Sequence, residues 1–241
     1  FAGSFFYTLA LRYINKSIET NPFKALFSRS HCPHCNSVIN PILLIPIFGF
    51  IISKASCKYC GIRISFLYPF YEILFGFVYF LVVSKLGVTL YSVNIIFLIS
   101  IGLTIAIIDL KIFEVPNSLV IVFTLSSLYP VIYDGKYLQN LYGLLFMFLF
   151  FFVILFLFPG SFGGGDVKIA SAMGLVAGFQ LSIVILETAV ITGAIVGVIF
   201  AIKTKKGLKS KIPFAPFLTL GFLVAYVYGH DILLLYFNTL F

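Results

Sequence analysis

Two aspartates and four cysteines carry the reactive groups of this chain. Asp109 closes the apolar run Ile105-Ala106-Ile107-Ile108, and Asp166 follows Gly163-Gly164-Gly165 between further apolar runs. A carboxyl group at the edge of an apolar helix is costly to keep and marks a functional site by default. Two carboxyls that can meet cannot both ionise, so they share a proton and can act as general acid and general base. The cysteines form two C-x-x-C pairs, Cys32/Cys35 and Cys57/Cys60, with 21 residues between them. That is the spacing of a four-thiolate zinc site, and four thiolates leave no open position for catalysis. His31 and His34 flank the first pair; polar loop residues are the plainer reading of both.

Helices must position these groups. The 241 residues are 61% hydrophobic and only 10% charged, with mean hydropathy +1.12. Soluble domains carry about 25% charged residues, so the composition predicts an all-α polytopic membrane protein. Apolar segments fall at about 1–14, 66–84, 90–108, 117–133, 139–158, 167–179, 181–202 and 214–237, which predicts about eight spans. The first, from Phe1, is too short to cross and reads as a truncated span. Turn chemistry separates the segments at Val115-Pro116-Asn117, Asp134-Gly135, Phe158-Pro159-Gly160-Ser161 and Ile212-Pro213. No internal repeat is visible, and the Phe-rich run near 146–158 reads as lipid-facing.

The net charge of +8 does not indicate nucleic acid, because the basic residues lie in loops where membrane orientation uses them. If the first span runs outside to inside, fourteen of the sixteen basic residues are internal; only Lys85 and Lys136 fall outside. This topology predicts Asp109 and Asp166 at one cytoplasmic edge. It yields three regions: the first span (1–14), a cytoplasmic zinc-binding loop (15–65) and a membrane domain with the aspartates (66–241). Within the loop, Pro41 to Ile52 is apolar but too short and Pro-rich to span, and is expected against the membrane surface.

In combination these motifs resemble the type IV prepilin peptidases, membrane aspartic proteases of the G-x-G-D type. The resemblance runs over nearly the whole chain. It takes in Gly3-Ser4-Phe5, the cysteine quartet and Ile64 through Glu72. It continues with Asp109, Val115-Pro116-Asn117, Gly163-Gly164-Gly165-Asp166-Val167-Lys168 and Pro213-Phe214-Ala215-Pro216. The resemblance implies that Asp109 and Asp166 are the catalytic pair. The substrate would be a prepilin or type II secretion pseudopilin, cut after a glycine at the cytoplasmic face of a bacterial inner membrane. Members with the cysteine loop commonly also methylate the new N-terminal residue with S-adenosylmethionine. Gly163, Gly164 and Gly165 are expected to admit an extended peptide and to adopt positive φ.

Other residues keep two readings. Glu72 either contacts the substrate N-terminus or the methyl-transfer site, or makes a helix-packing hydrogen bond; Gly76 either opens space beside it in the methyl-transfer region or serves close helix packing, the commoner use of such a glycine. Lys111 and Lys168 either tune the aspartates or hold phosphate headgroups, the latter being favoured. Glu187 reads as interhelical packing, Glu114 and Asp134 as solvated loop edges, and His230 with Asp231 as a surface pair. Lys203 to Lys211 form a basic loop of positive-inside type. Rival functions are a preflagellin-type or other G-x-G-D intramembrane protease, against which the cysteine loop argues, and a proton-coupled transporter, which no repeat symmetry supports.

Overall fold

The computed structural model describes residues 2–15, 29–32, 34–158, 163–204 and 212–240, without the side chains of 204 and 237–240. Phe1, Lys16, Lys24, Pro33, the Pro159-Gly160-Ser161 turn and Lys205 to Lys211 lie outside the described residues. The described chain is helical: α1 (Ala2–Ile14), a 3-10 turn (Pro41–Leu44), α2 (Phe48–Ile52), α3 (Leu67–Leu86), α4 (Leu90–Ile112), α5 (Asn117–Asp134), α6 (Tyr137–Leu157), α7 (Gly164–Thr204) and α8 (Ala215–Leu240). Among the described residues α3, α4, α6, α7 and α8 are long and apolar enough to cross a membrane. Two compact units divide the chain, residues 1–80 and 81–241.

In the first unit α1 buries Gly3, Phe6, Tyr7 and Ala10, the i, i+3, i+4, i+7 stripe of a one-faced helix. Phe6 stacks on Phe75 (6.0 Å between centroids), and Tyr7 stacks on Tyr71 (4.4 Å) and meets the edge of Tyr68 (5.0 Å). A side chain at Gly3 would collide with Phe75, so this glycine permits the close approach.

In the second unit α4 is the buried centre. Thr89 caps it in a reciprocal box with Ser92, and Phe113 in the left-handed region ends it. That is what stops the helix four residues after Asp109. Ile95, Leu98, Ile99, Ile105 and Ile108 are wholly buried. Helix α6 buries Gly143, Met147 and Phe151 on one stripe, while Phe152, Phe156 and Leu157 stay exposed, so the Phe-rich run is exposed on one side only.

Helix α7 is two arms. Gly178, with φ 72° and ψ 175°, interrupts it, a conformation essentially restricted to glycine. The partners show that the chain turns back there. Before Gly178, Met173 lies near Gly102 beside Thr219, and the Tyr226 hydroxyl donates to the Val176 carbonyl at 3.1 Å. After it, Leu181 meets Gly229, Ile185 meets Gly221, and Gly193 meets Phe217. The chain thus climbs along α8 and descends it again. The segments expected at 167–179 and 181–202 are these two arms. The first arm crosses α6 at Gly143 and Gly174, whose backbones touch, and Asn140 fixes it by donating to the Leu175 carbonyl at 2.8 Å.

Candidate active site and metal centre

Asp109 and Asp166 come to one end of the second unit although 56 residues separate them in sequence. Both are buried, 5% and 8% exposed, and their charges are within electrostatic reach of each other. Each is fixed through one oxygen by a backbone amide. The Ala215 N–H, at the first residue of α8, donates to Asp109 Oδ2 at 3.0 Å. The Gly163 N–H donates to Asp166 Oδ2 at 3.0 Å, a side chain in the first turn reaching back to the residue before its own helix, as in a capping box. Asp166 Oδ1 is buried and has no hydrogen-bond partner among the described residues.

Two contacts hold the segment after Asp109 against the first turn of α7. Gly165 lies so close to Val115 that an added Cβ would stand 2.6 Å from the valine Cβ. Lys168 Nζ donates to Asn117 Oδ1 at 2.9 Å. Lys168 therefore ties the two aspartate-bearing segments together, a role absent from the sequence reading; Lys111 is exposed. The expectation of positive φ is overturned at Gly164 and Gly165, neither of which adopts it. They differ instead in space: Gly165 is pressed on Val115, while no described residue lies within 4 Å of a Cβ built on Gly164.

The four cysteines also converge, in the first unit. Their Sγ atoms all lie within 4.8 Å of one another, with Cys32–Cys60 at 3.8 Å and Cys35–Cys57 at 4.0 Å. A tetrahedral ion with metal–sulfur bonds of about 2.3 Å needs sulfurs about 3.8 Å apart, so the set fits such an ion. Two matching knuckles build it. Asn36 N–H donates to the Cys32 carbonyl and Gly61 N–H to the Cys57 carbonyl, each at 2.9 Å; Cys32 N–H donates to Ser37 and Cys57 N–H to Ile62, again at 2.9 Å. Bridges His31–Val38 and Ser56–Arg63 close both. This is an internal repeat offset by 25 residues, missed in the sequence because only its cysteines are identical. Asn36 and Gly61 take the left-handed position in each knuckle. Amides of Cys60 and Tyr59 pull the Cys57 thiol down to about 6, and Ser37 lowers Cys35 through its hydroxyl and amide. At Cys60 the Ile62 amide favours the thiolate. Desolvation and protons shared with Cys35, Cys57 and Cys32 outweigh it and push this thiol up to about 12. His31 Nδ1 faces the Arg29 carbonyl rather than the sulfurs, the loop role expected of it.

The remaining candidates are placed as follows. Glu72 Oε2 accepts the Ile47 N–H at 2.8 Å. Gly76 is exposed with nothing within 4 Å of a Cβ, so close helix packing is not its use among the described residues. Glu187 accepts from the Tyr236 hydroxyl at 2.6 Å, the interhelical role expected. His230 and Asp231 are both exposed, the surface placement expected of them, and Asp231 forms an ion pair with Lys85 at 3.3 Å. Asp134 and Glu114 are exposed.

Comparison with known proteins agrees with this geometry. The Bacterial Peptidase A24 N-terminal domain family matches residues 1–86, and the Type IV leader peptidase family matches residues 96–198. The prepilin leader peptidase/N-methyltransferase of Bacillus subtilis (strain 168) is 31% identical over 237 residues, covering 97% of this chain and 93% of its own. The chain belongs to the type IV leader peptidase family. Proteins of the same description from Legionella pneumophila (29% over 218 residues, 85% and 74% of the two chains) and Aeromonas hydrophila (24% over 234 residues, 90% and 78%) are also similar. No solved structure matches. In the leader peptidase family match, residues 96–198 take in both Asp109 and Asp166, and the A24 N-terminal match takes in all four cysteines.

Proposed function

We propose that this chain cleaves the basic leader from type IV prepilins or type II secretion pseudopilins and methylates the new N-terminal residue. The observation that carries the proteolytic half is the pair of buried carboxyls at one end of the second unit. Each is pinned through one oxygen by a backbone amide. Asp109 and Asp166 are the catalytic residues in this reading. The pair holds a single shared proton. The ionised carboxyl takes a proton from water as that water attacks the scissile carbonyl carbon. The protonated carboxyl donates to the carbonyl oxygen, giving a neutral gem-diol. Collapse of the gem-diol breaks the C–N bond, and its proton passes through the pair to the leaving amine. The open side of Gly164 admits the extended substrate backbone.

The topology in this reading has eight spans, with α1, α5 and the two arms of α7 counted beside α3, α4, α6 and α8. The carboxyl pair faces the cytoplasm at a bacterial inner membrane. Residues 15–65 form the zinc-binding region, and 66–241 the protease domain. Cys32, Cys35, Cys57 and Cys60 hold a structural Zn²⁺, which would supply the folding energy that a small loop lacks in core. S-adenosylmethionine is the methyl donor, and the methyl-transfer region is assigned to the surroundings of Glu72 and Gly76.

The test is co-expression with a prepilin, read by mass spectrometry of the pilin. The wild type gives loss of the leader and a methyl gain. Asp109→Asn and Asp166→Asn each give uncut prepilin at normal membrane levels of enzyme; retained cleavage in either removes the proposal.

A further inference from the structure

The segment from Pro41 to Ile52 is held against α3 but leaves its apolar side chains uncovered. Ile47 N–H donates to Glu72 Oε2 at 2.8 Å, and the Phe50 ring meets the edge of Phe66 with centroids 6.1 Å apart. Asn40 caps the 3-10 turn, and Gly49 lets α2 fold back on the Leu43 carbonyl. The segment is therefore ordered and tethered twice. Yet Ile42 (60%), Phe48 (64%), Ile51 (63%) and Ile52 (51%) are largely exposed. Ordering large apolar groups with their faces outward is unfavourable in water and needs a cover.

The position of the tether identifies the cover. Helix α3 starts at Leu67 and is a candidate membrane span. Glu72 is five residues in, about 7.5 Å along the axis. Segments that lie in a bilayer interface bury their apolar face about 5–10 Å into the headgroup–acyl boundary. The tether thus holds the segment at that depth. Its flanks complement such a surface: Arg29, Lys54, Lys58 and Arg63 are exposed, and Glu72 is the only acid among the described residues of this unit. Basic flanks with an apolar tip suit an anionic lipid interface.

We propose that Ile42, Phe48, Ile51 and Ile52 form a wedge inserted in the lipid interface beside α3, and that Glu72 sets its depth by holding the Ile47 amide. This rests on α3 spanning the bilayer and is independent of the aspartate chemistry.

The sequence has no Trp, so one introduced Trp reports alone. Phe48→Trp, Phe80→Trp in α3 and Tyr59→Trp on the second knuckle are each placed in the full chain in vesicles of phosphatidylethanolamine and phosphatidylglycerol. Quenching by phospholipids brominated high on the acyl chain is compared with quenching by aqueous iodide. The Phe48→Trp probe should be quenched by brominated lipid at least half as strongly as Phe80→Trp and resist iodide. Tyr59→Trp should show the reverse. Adding Glu72→Ala to Phe48→Trp should cut the lipid quenching at least twofold, whereas Glu72→Gln, which keeps an acceptor, should retain most of it. Bound zinc, measured on each variant, reports whether the loop is folded. Iodide access in Phe48→Trp equal to that in Tyr59→Trp overturns the proposal. So does a Phe48→Trp probe that is shielded from iodide yet not quenched by brominated lipid, since protein would then cover the wedge. Undiminished quenching in Glu72→Ala overturns the role of Glu72. Prepilin cleavage, assayed in parallel, separates any failure here from failure of the protease reading.

Discussion

Replacing Gly165 by alanine tests whether its contact with Val115 sets the geometry of the acids. A Cβ at 165 would lie 2.6 Å from Val115 Cβ and 3.2 and 3.4 Å from the two Cγ atoms. Carbon atoms rest at about 3.5–4.0 Å, so the two segments must part by about 1 Å. Overpacking of this kind costs about 1–3 kcal/mol, which the protein survives. The displacement falls on the residue next to Asp166 and on the loop that follows Asp109. A misplacement of about 1 Å at a catalytic group lowers rate by about 100-fold. Initial rates of prepilin cleavage in vesicles, normalised to enzyme amount by immunoblot, should therefore fall about 10- to 100-fold in Gly165→Ala. Val115→Gly removes the Cβ and both methyls from the clash and should restore most of the rate in the double variant. A Gly165→Ala enzyme of wild-type rate, or a double variant no faster than the single one, would refute the reasoning.

The knuckles and the hairpin give two further predictions. Zinc content should fall as the pH is lowered, because protons compete with the metal for the four thiolates; a colorimetric zinc release assay checks the direction, and retention at pH 4 would contradict it. Gly178→Ala should lower the thermal stability of the detergent-solubilised protein by several degrees, since the φ 72°, ψ 175° conformation costs a residue with a Cβ about 1–3 kcal/mol. An unchanged melting temperature would mean that the turn is not needed.

What the sequence discloses about this protein depends on whether a contact uses a side chain with a recognisable partner. The cysteines were legible because four identical ligands at fixed spacing have few uses. The meeting of Asp109 and Asp166 followed from counting helices between them. The break in α7 was visible to within two residues as the gap between 179 and 181. By contrast, the donor to Asp109 is the backbone of Ala215, 106 positions away, and an amide donor leaves no mark on residue type. The Lys168–Asn117 and Glu72–Ile47 bonds were hidden for the same reason: one partner is commonplace and the other distant. The glycines before Asp166 were read for their freedom of φ, whereas the fold uses Gly165 for its missing volume.

The first arm of α7 has one consequence for the electrical insulation of the membrane. From Gly164 to Ala177 it is 14 residues, about 21 Å at helical rise, while a hydrocarbon layer is about 30 Å thick. At its far end opens a recess of about 430 Å³ bordered by Asp134, Asn140 and Gly178. The dielectric barrier between that recess and Asp166 is accordingly thin. Ile169, Ala170, Met173 and Val176, all buried, fill that distance with apolar side chains, and in the proposed reading of the aspartates they are what would keep proton exchange at the acids from leaking across the bilayer.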